Sequence, residues 1–135
     1  MERELTANKT IRTLTTFMCG VTTLLLFMQM GTILQGYISP IAGLLIEMGT
    51  FILACIFGCA LSPLHPFRAG STVTAGVFVG AIVDVIIHPT FNGFERNLFP
   101  LEIAAHTIMA ALSCFLCATF WKIGSNFVAS GGPSA

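Results

Sequence analysis

The stretch "PIAGLLIEMGTFILACIFGCAL", residues 40–61, decides the fold. A bilayer's hydrocarbon core is about 30 Å thick and takes roughly 20 helical residues to cross. This run is long enough, has no basic residue, and carries a single acid, Glu47. Pro40 stands at a first helical position, where its missing N–H does no harm. Working outward, comparable apolar runs occur at about 12–34, 71–88 and 100–122. The first of these carries no charge after Arg12. A secretory signal also has a basic start, but this run is too long for one, no A-x-A site follows it, and more apolar sequence comes next.

Composition points the same way. With 135 residues, 55% of them hydrophobic and 9% charged, and a mean hydropathy of +0.87, the chain has too little polar surface for an ordinary soluble globule. Net charge is zero, so bulk electrostatics gives no reason to expect nucleic acid as a partner. The expectation is an all-α, polytopic integral membrane protein with four transmembrane helices in an antiparallel bundle. Residues 1–11 precede the transmembrane domain, 12–123, and 124–135, "GSNFVASGGPSA", are expected to form a flexible tail. Between the second and third runs, "SPLHPFRAGS" holds two prolines that stop one helix and Ser71 in position to cap the next.

The basic residues set the orientation. Arg3, Lys9 and Arg12 precede the first run, Arg68 lies between the second and third, and Lys122 ends the fourth, so these fall on one side and only Arg96 on the other. The positive-inside rule makes that side the cytoplasm, with both termini there, in a bacterial-type cytoplasmic membrane. Trp121 then suits the inner interface, and Tyr37, Phe91, Phe94 and Phe99 the outer one.

Depth along each span then brings ionisable groups together. Glu47 lies about 10 Å inside the outer end of its helix at 1.5 Å per residue. Asp84 is one turn from the outer end of the third helix and His88 is at that end, while Glu102 starts the fourth helix with His106 one turn deeper. Each is expected on an inward face that carries small residues. Gly76 and Gly80 lead to Asp84, Gly43 and Gly58 flank Glu47, and Ala110 and Ser113 follow His106. Arg96, in the connector "HPTFNGFERNLFP", is expected to fold toward Glu47 and Asp84 as counter-charge.

Such a cluster has a bland reading, in which the groups neutralise one another and tie helices together. Acids placed at membrane depth nevertheless cost enough that a functional role is the default hypothesis. The favoured role is proton or cation binding, related to transport, by Glu47, Asp84, His88, Glu102 and His106, since acids in a low-dielectric interior can exchange protons with neighbouring histidines. A rival from another class is a non-catalytic accessory or immunity-like membrane subunit acting through protein–protein contacts. A metalloenzyme comes third: Asp84 with His88, and Glu102 with His106, are four apart on one helical face, a weakly specific ligand spacing that leaves metal binding unknown.

No G-x-S-x-G, phosphate-binding glycine loop or H-E-x-x-H occurs, so no enzyme activity and no cofactor is implied. Cys19, Cys55, Cys59, Cys114 and Cys117 read as small buried packing residues. The expected partners are the lipid bilayer and a second copy of the chain or another membrane protein. In size and span number the chain resembles small multidrug transporters and four-helix membrane immunity proteins. The former carry a key glutamate in the first helix, whereas residues 12–34 here contain no acid.

Overall fold

The structure is a computed structural model and describes residues 2–34, 37–87 and 99–129. It is all-helical: α1 spans Glu2–Leu34, α2 Pro40–Leu61, α3 Pro66–Ile87 and α4 Phe99–Ala129. All four helices are long and apolar enough to cross a membrane, through Thr6–Met30, Pro40–Leu61, Pro66–Ile87 and Pro100–Ala129. With 22 residues each, α2 and α3 are about 33 Å long, close to the hydrocarbon thickness. The 33 residues of α1 and 31 of α4 extend to about 50 and 46 Å, so both helices reach beyond it.

Local chemistry fixes the ends of α2. Ser39, in extended conformation, accepts a hydrogen bond at Oγ from the Ala42 N–H at 3.3 Å, and Pro40 follows at the first helical position. At the other end the Ser62 N–H donates to the carbonyls of Gly58 and Cys59 at 3.1 and 3.2 Å. Arg12 of α1 adds a donor to the Leu61 carbonyl at 3.4 Å, placing a cation at a helix C-terminus.

Three boundaries differ from the sequence expectation. α3 starts at Pro66 rather than near 71, because a proline at the first position suits a helix start and nothing in "FRAG" breaks the run. Ser71 therefore lies inside the helix, where its hydroxyl donates to the Phe67 carbonyl at 2.9 Å instead of capping. The helix α1 begins at Glu2, well before 12. At the other terminus α4 continues through 124–129, placed above in a flexible tail; Phe127 and Val128 prolong the apolar pattern and no proline intervenes.

Packing is inverted relative to a soluble protein. One buried cluster is made of small residues, Ala54, Cys55, Cys59, Ala69, Val73 and Cys114, with Cys19, Cys117 and Trp121 packed against it. Leu24, Phe51, Val77, Ala81 and Ala110 form a second, flanked by Met28, Ile103 and Met109. The outward surface carries the large side chains, among them Leu26, Leu45, Leu53, Phe57, Ile86, Ile108, Phe115 and Phe120, all exposed. That arrangement fits a multi-pass membrane protein, whose helices associate through small residues while lipid covers the bulky ones.

α3 touches all three other helices. Its glycines permit the closest approach: a Cβ on Gly76 would collide with the Phe17 carbonyl oxygen and lie 3.1 Å from Gly20 Cα, and one on Gly80 would lie 3.1 Å from the Val21 carbonyl oxygen. Gly58 of α2 is packed likewise, 2.8 Å from the Thr16 methyl group by the same measure. Gly43, expected on a packing face, has nothing among the described residues within 4 Å of a Cβ there. The small-residue stripe it was read into turns away from the neighbouring helices at that end of α2.

Candidate proton- or cation-binding site

Glu47 is the acid most deeply enclosed among the described residues, its side chain only 6% exposed. It sits two turns into α2 from Pro40, a depth matched on α4 by His106, six residues after Pro100. The two meet across the helices, with His106 Nδ1 2.5 Å from Glu47 Oε1. Each thereby supplies the polar partner that the other needs in an enclosed place. Thr50, a turn further along α2, donates its hydroxyl to the Glu47 backbone carbonyl at 2.8 Å, leaving the carboxylate to His106.

The second nitrogen of His106 points toward Glu102. Nε2 lies 4.0 Å from Glu102 Oε1, one turn back on α4, and the Glu102 side chain is 45% exposed against 15% for His106. Four ångströms is too long for a direct hydrogen bond, and is a separation that one water or a small swing of the exposed Glu102 spans. Asp84 of α3 is half-buried and also lies within electrostatic range of His106. Phe27 of α1 closes the imidazole from a further side, edge-on with ring centroids 6.4 Å apart. All four helices therefore contribute to the surroundings of one ring.

Glu47 and Glu102 thus lie against the two nitrogens of one imidazole, with Asp84 in electrostatic range. The two ring nitrogens of histidine are chemically distinct, and a proton taken on one can be matched by release from the other. Here one nitrogen faces a half-exposed acid and the other a buried acid. Among the described residues no group of three or more His, Cys, Asp or Glu is arranged to hold a metal ion. His88 and Arg96 lie outside the described residues.

Sequence reasoning placed Glu47, Asp84, Glu102 and His106 at a common end, and the structure brings Glu47, His106 and Glu102 into direct proximity. It did not single out the Glu47–His106 pair, and it missed Phe27. Nearly equal distance from the prolines at the two helix starts, Pro40 and Pro100, was the available signal for the pair; a phenylalanine in an apolar run carries none for the ring contact.

Toward the opposite end, Cys55, Cys59, Cys114 and Cys117 hold α2 to α3 and α4 through weak thiol–carbonyl contacts, such as Cys55 Sγ to the Cys114 carbonyl at 3.6 Å. All five cysteines are free. Ser113 Oγ, beside Cys114, is buried and has no hydrogen-bond partner among the described residues. Compared with protein-family models, with curated proteins and with solved structures, the chain matches none. The fold and site define a class, an all-helical protein with four spans' worth of apolar helix and an enclosed acid–imidazole pair; its chemistry follows from that geometry.

Proposed function

We propose that the protein is a small four-span protein of a bacterial-type cytoplasmic membrane that binds a proton, or a cation in its place, in its outer half and takes part in transport. The observation that carries this reading is the graded series from half-exposed Glu102 through His106 to buried Glu47. A proton arriving at Nε2 of His106 from the Glu102 side is matched by one passing from Nδ1 to the Glu47 carboxylate. The imidazole then returns to its starting tautomer by a ring flip. Burial favours the arrangement in which Glu47 and His106 share charge or are both neutral, because a lone ion there has lost its water.

The proposed topology has spans that alternate in direction, an antiparallel bundle, with both termini cytoplasmic. Support comes from charge: Arg12 reaches the end of α2 at Leu61, Lys122 lies 5.7 Å over the Phe67 ring, and Arg68 is in the first turn of α3. These cations gather at one end of the helices, and Glu47, Asp84, Glu102 and His106 at the other. The cationic end is assigned to the cytoplasm by the positive-inside rule.

The test is proton flux in vesicles. Liposomes containing the purified protein and a pH-sensitive dye should dissipate an imposed pH gradient faster than empty ones. Glu47→Gln and His106→Asn, which keep polar groups in place, should remove that excess while the protein still purifies as a folded species. Wild-type vesicles no leakier than empty ones, across added monovalent cations, or an undiminished rate in Glu47→Gln, would refute the proposal.

A further inference from the structure

The cationic end holds a second feature, independent of the acid–imidazole pair. The turn between α2 and α3 roofs a crevice of about 630 Å³ whose lining includes Lys9 and Arg12 of α1, His65, and Arg68 of α3. Among the described residues none of these cations is in an ion pair; Arg12 donates to the Leu61 carbonyl at 3.4 Å. Thr13 and Thr72 add hydroxyls to the walls, and Leu64, exposed, stands on the rim. His65, just before α3, and Arg68 and Ala69 of its first turn also line the space. The His65 and Ala69 N–H groups are taken by the Ser62 and His65 carbonyls at 3.1 Å each, so the polar character of the crevice comes from its side chains.

Like charges brought together with no ion pair among the described residues repel one another, and an anion relieves that repulsion. The depth of the crevice says which anion. The apolar run of α1 starts at about residue 12, the span of α2 ends at Leu61 and that of α3 starts at Pro66, so the crevice lies at the border of the apolar zone. In a bilayer that is the level of the headgroup phosphates. Basic pockets between spans at this level suit anionic headgroups.

We propose that this crevice binds the phosphate of an anionic phospholipid, with Lys9, Arg12 and Arg68 as its cationic contacts. Leu64 at the rim then lies against the glycerol and acyl region. A bound lipid here bridges α1 to α3 across the α2–α3 turn and fixes the height of the protein in the membrane.

The experiment is lipid retention. Protein equilibrated in mixed micelles with equal amounts of phosphatidylglycerol and phosphatidylcholine is released into the gas phase, and bound lipid is counted by native mass spectrometry. Wild type should retain phosphatidylglycerol preferentially. Lys9→Gln and Arg68→Gln should each weaken retention about fivefold and the double variant about 30-fold, at the usual strength of a juxtamembrane basic residue. Lys122→Gln removes the same charge outside this crevice and should leave retention unchanged. Both single variants alter exposed residues, and if one fails to fold the other carries the test.

Inorganic phosphate added as competitor separates the two sources of the ligand. Displacement of lipid at millimolar phosphate supports a phosphate site open to the free ion, and lipid retained against it supports the headgroup. Equal retention of both lipids by wild type, or a loss in Lys122→Gln equal to that in Arg68→Gln, would overturn the proposal by reducing it to bulk charge attraction.

Discussion

Replacing His106 by leucine leaves the Glu47 carboxylate enclosed without its partner, while replacing Glu47 by leucine leaves an imidazole in the same position. Breaking a buried ion pair from one side costs about 3–5 kcal/mol, because the remaining charge must be desolvated alone or neutralised. Stranding a neutral polar group costs less, about 1–3 kcal/mol. Replacing both by apolar side chains removes the stranded group altogether, and such exchanges are often close to neutral. A double-mutant cycle on His106→Leu, Glu47→Leu and the pair should therefore show a coupling of about 2 kcal/mol or more, against about 0.6 kcal/mol for an average hydrogen bond between transmembrane helices. The chain has one tryptophan, Trp121, and it packs against the Cys55 cluster, so its fluorescence reports unfolding by denaturing detergent in mixed micelles. Single-variant costs that add to within about 0.5 kcal/mol in the double variant would show the residues to be energetically independent and refute the pairing.

Two further substitutions test the packing. Gly76→Ala places a methyl group against the backbone of Phe17 and Gly20, which cannot yield without moving α1, and should destabilise by about 1–3 kcal/mol; Gly43→Ala, whose Cβ meets nothing among the described residues within 4 Å, should be neutral or stabilise by up to about 1 kcal/mol in the same unfolding assay. Ser113→Ala removes a buried hydroxyl without a partner and should raise stability by about 1 kcal/mol, whereas a clear loss in the same assay would show that the hydroxyl is satisfied.

The apolar runs were legible because span length is set by the bilayer and each run is bounded by proline, glycine or charge. Pro40 is the plainest case, with Ser39 before it as cap and the helix starting where both demand. The start of α3 was misread because Ser71 and Pro66 both suit a helix start, and the choice turned on five residues, 66–70, that are neutral between the two readings. Depth was legible as well: counting 1.5 Å steps from Pro40 and Pro100 puts Glu47 and His106 level. What the count does not give is azimuth. Rotating α2 by one residue, about 100°, would keep Glu47 at its depth and point it away from α4, and only the mutual packing of α2, α3 and α4 sets that angle. Gly43 shows the same limit from the other side: it shares the period of Glu47, but neighbouring helices do not reach it.

The placement of the pair matters for what it can do. α1 and α3 are joined by backbone-to-backbone approach at Gly20 and Gly76, a contact with no titratable member. α2 and α4 meet differently, through Glu47 with His106 at one end and the Cys55 and Cys114 contacts toward the other. In lipid, apolar surfaces gain little by leaving one another's company for the bilayer, so close packing and polar pairs decide association. The fastening of α2 to α4 at its polar end is then the proposed proton site itself, and a change of protonation there alters the one strong contact that end has among the described residues. The two roles are separable by experiment. Glu47→Leu with His106→Leu keeps an apolar contact of similar bulk and removes the titratable groups, so it should retain the fold and lose proton flux. A double variant that folds and still carries the full flux would place the proton path elsewhere in the protein.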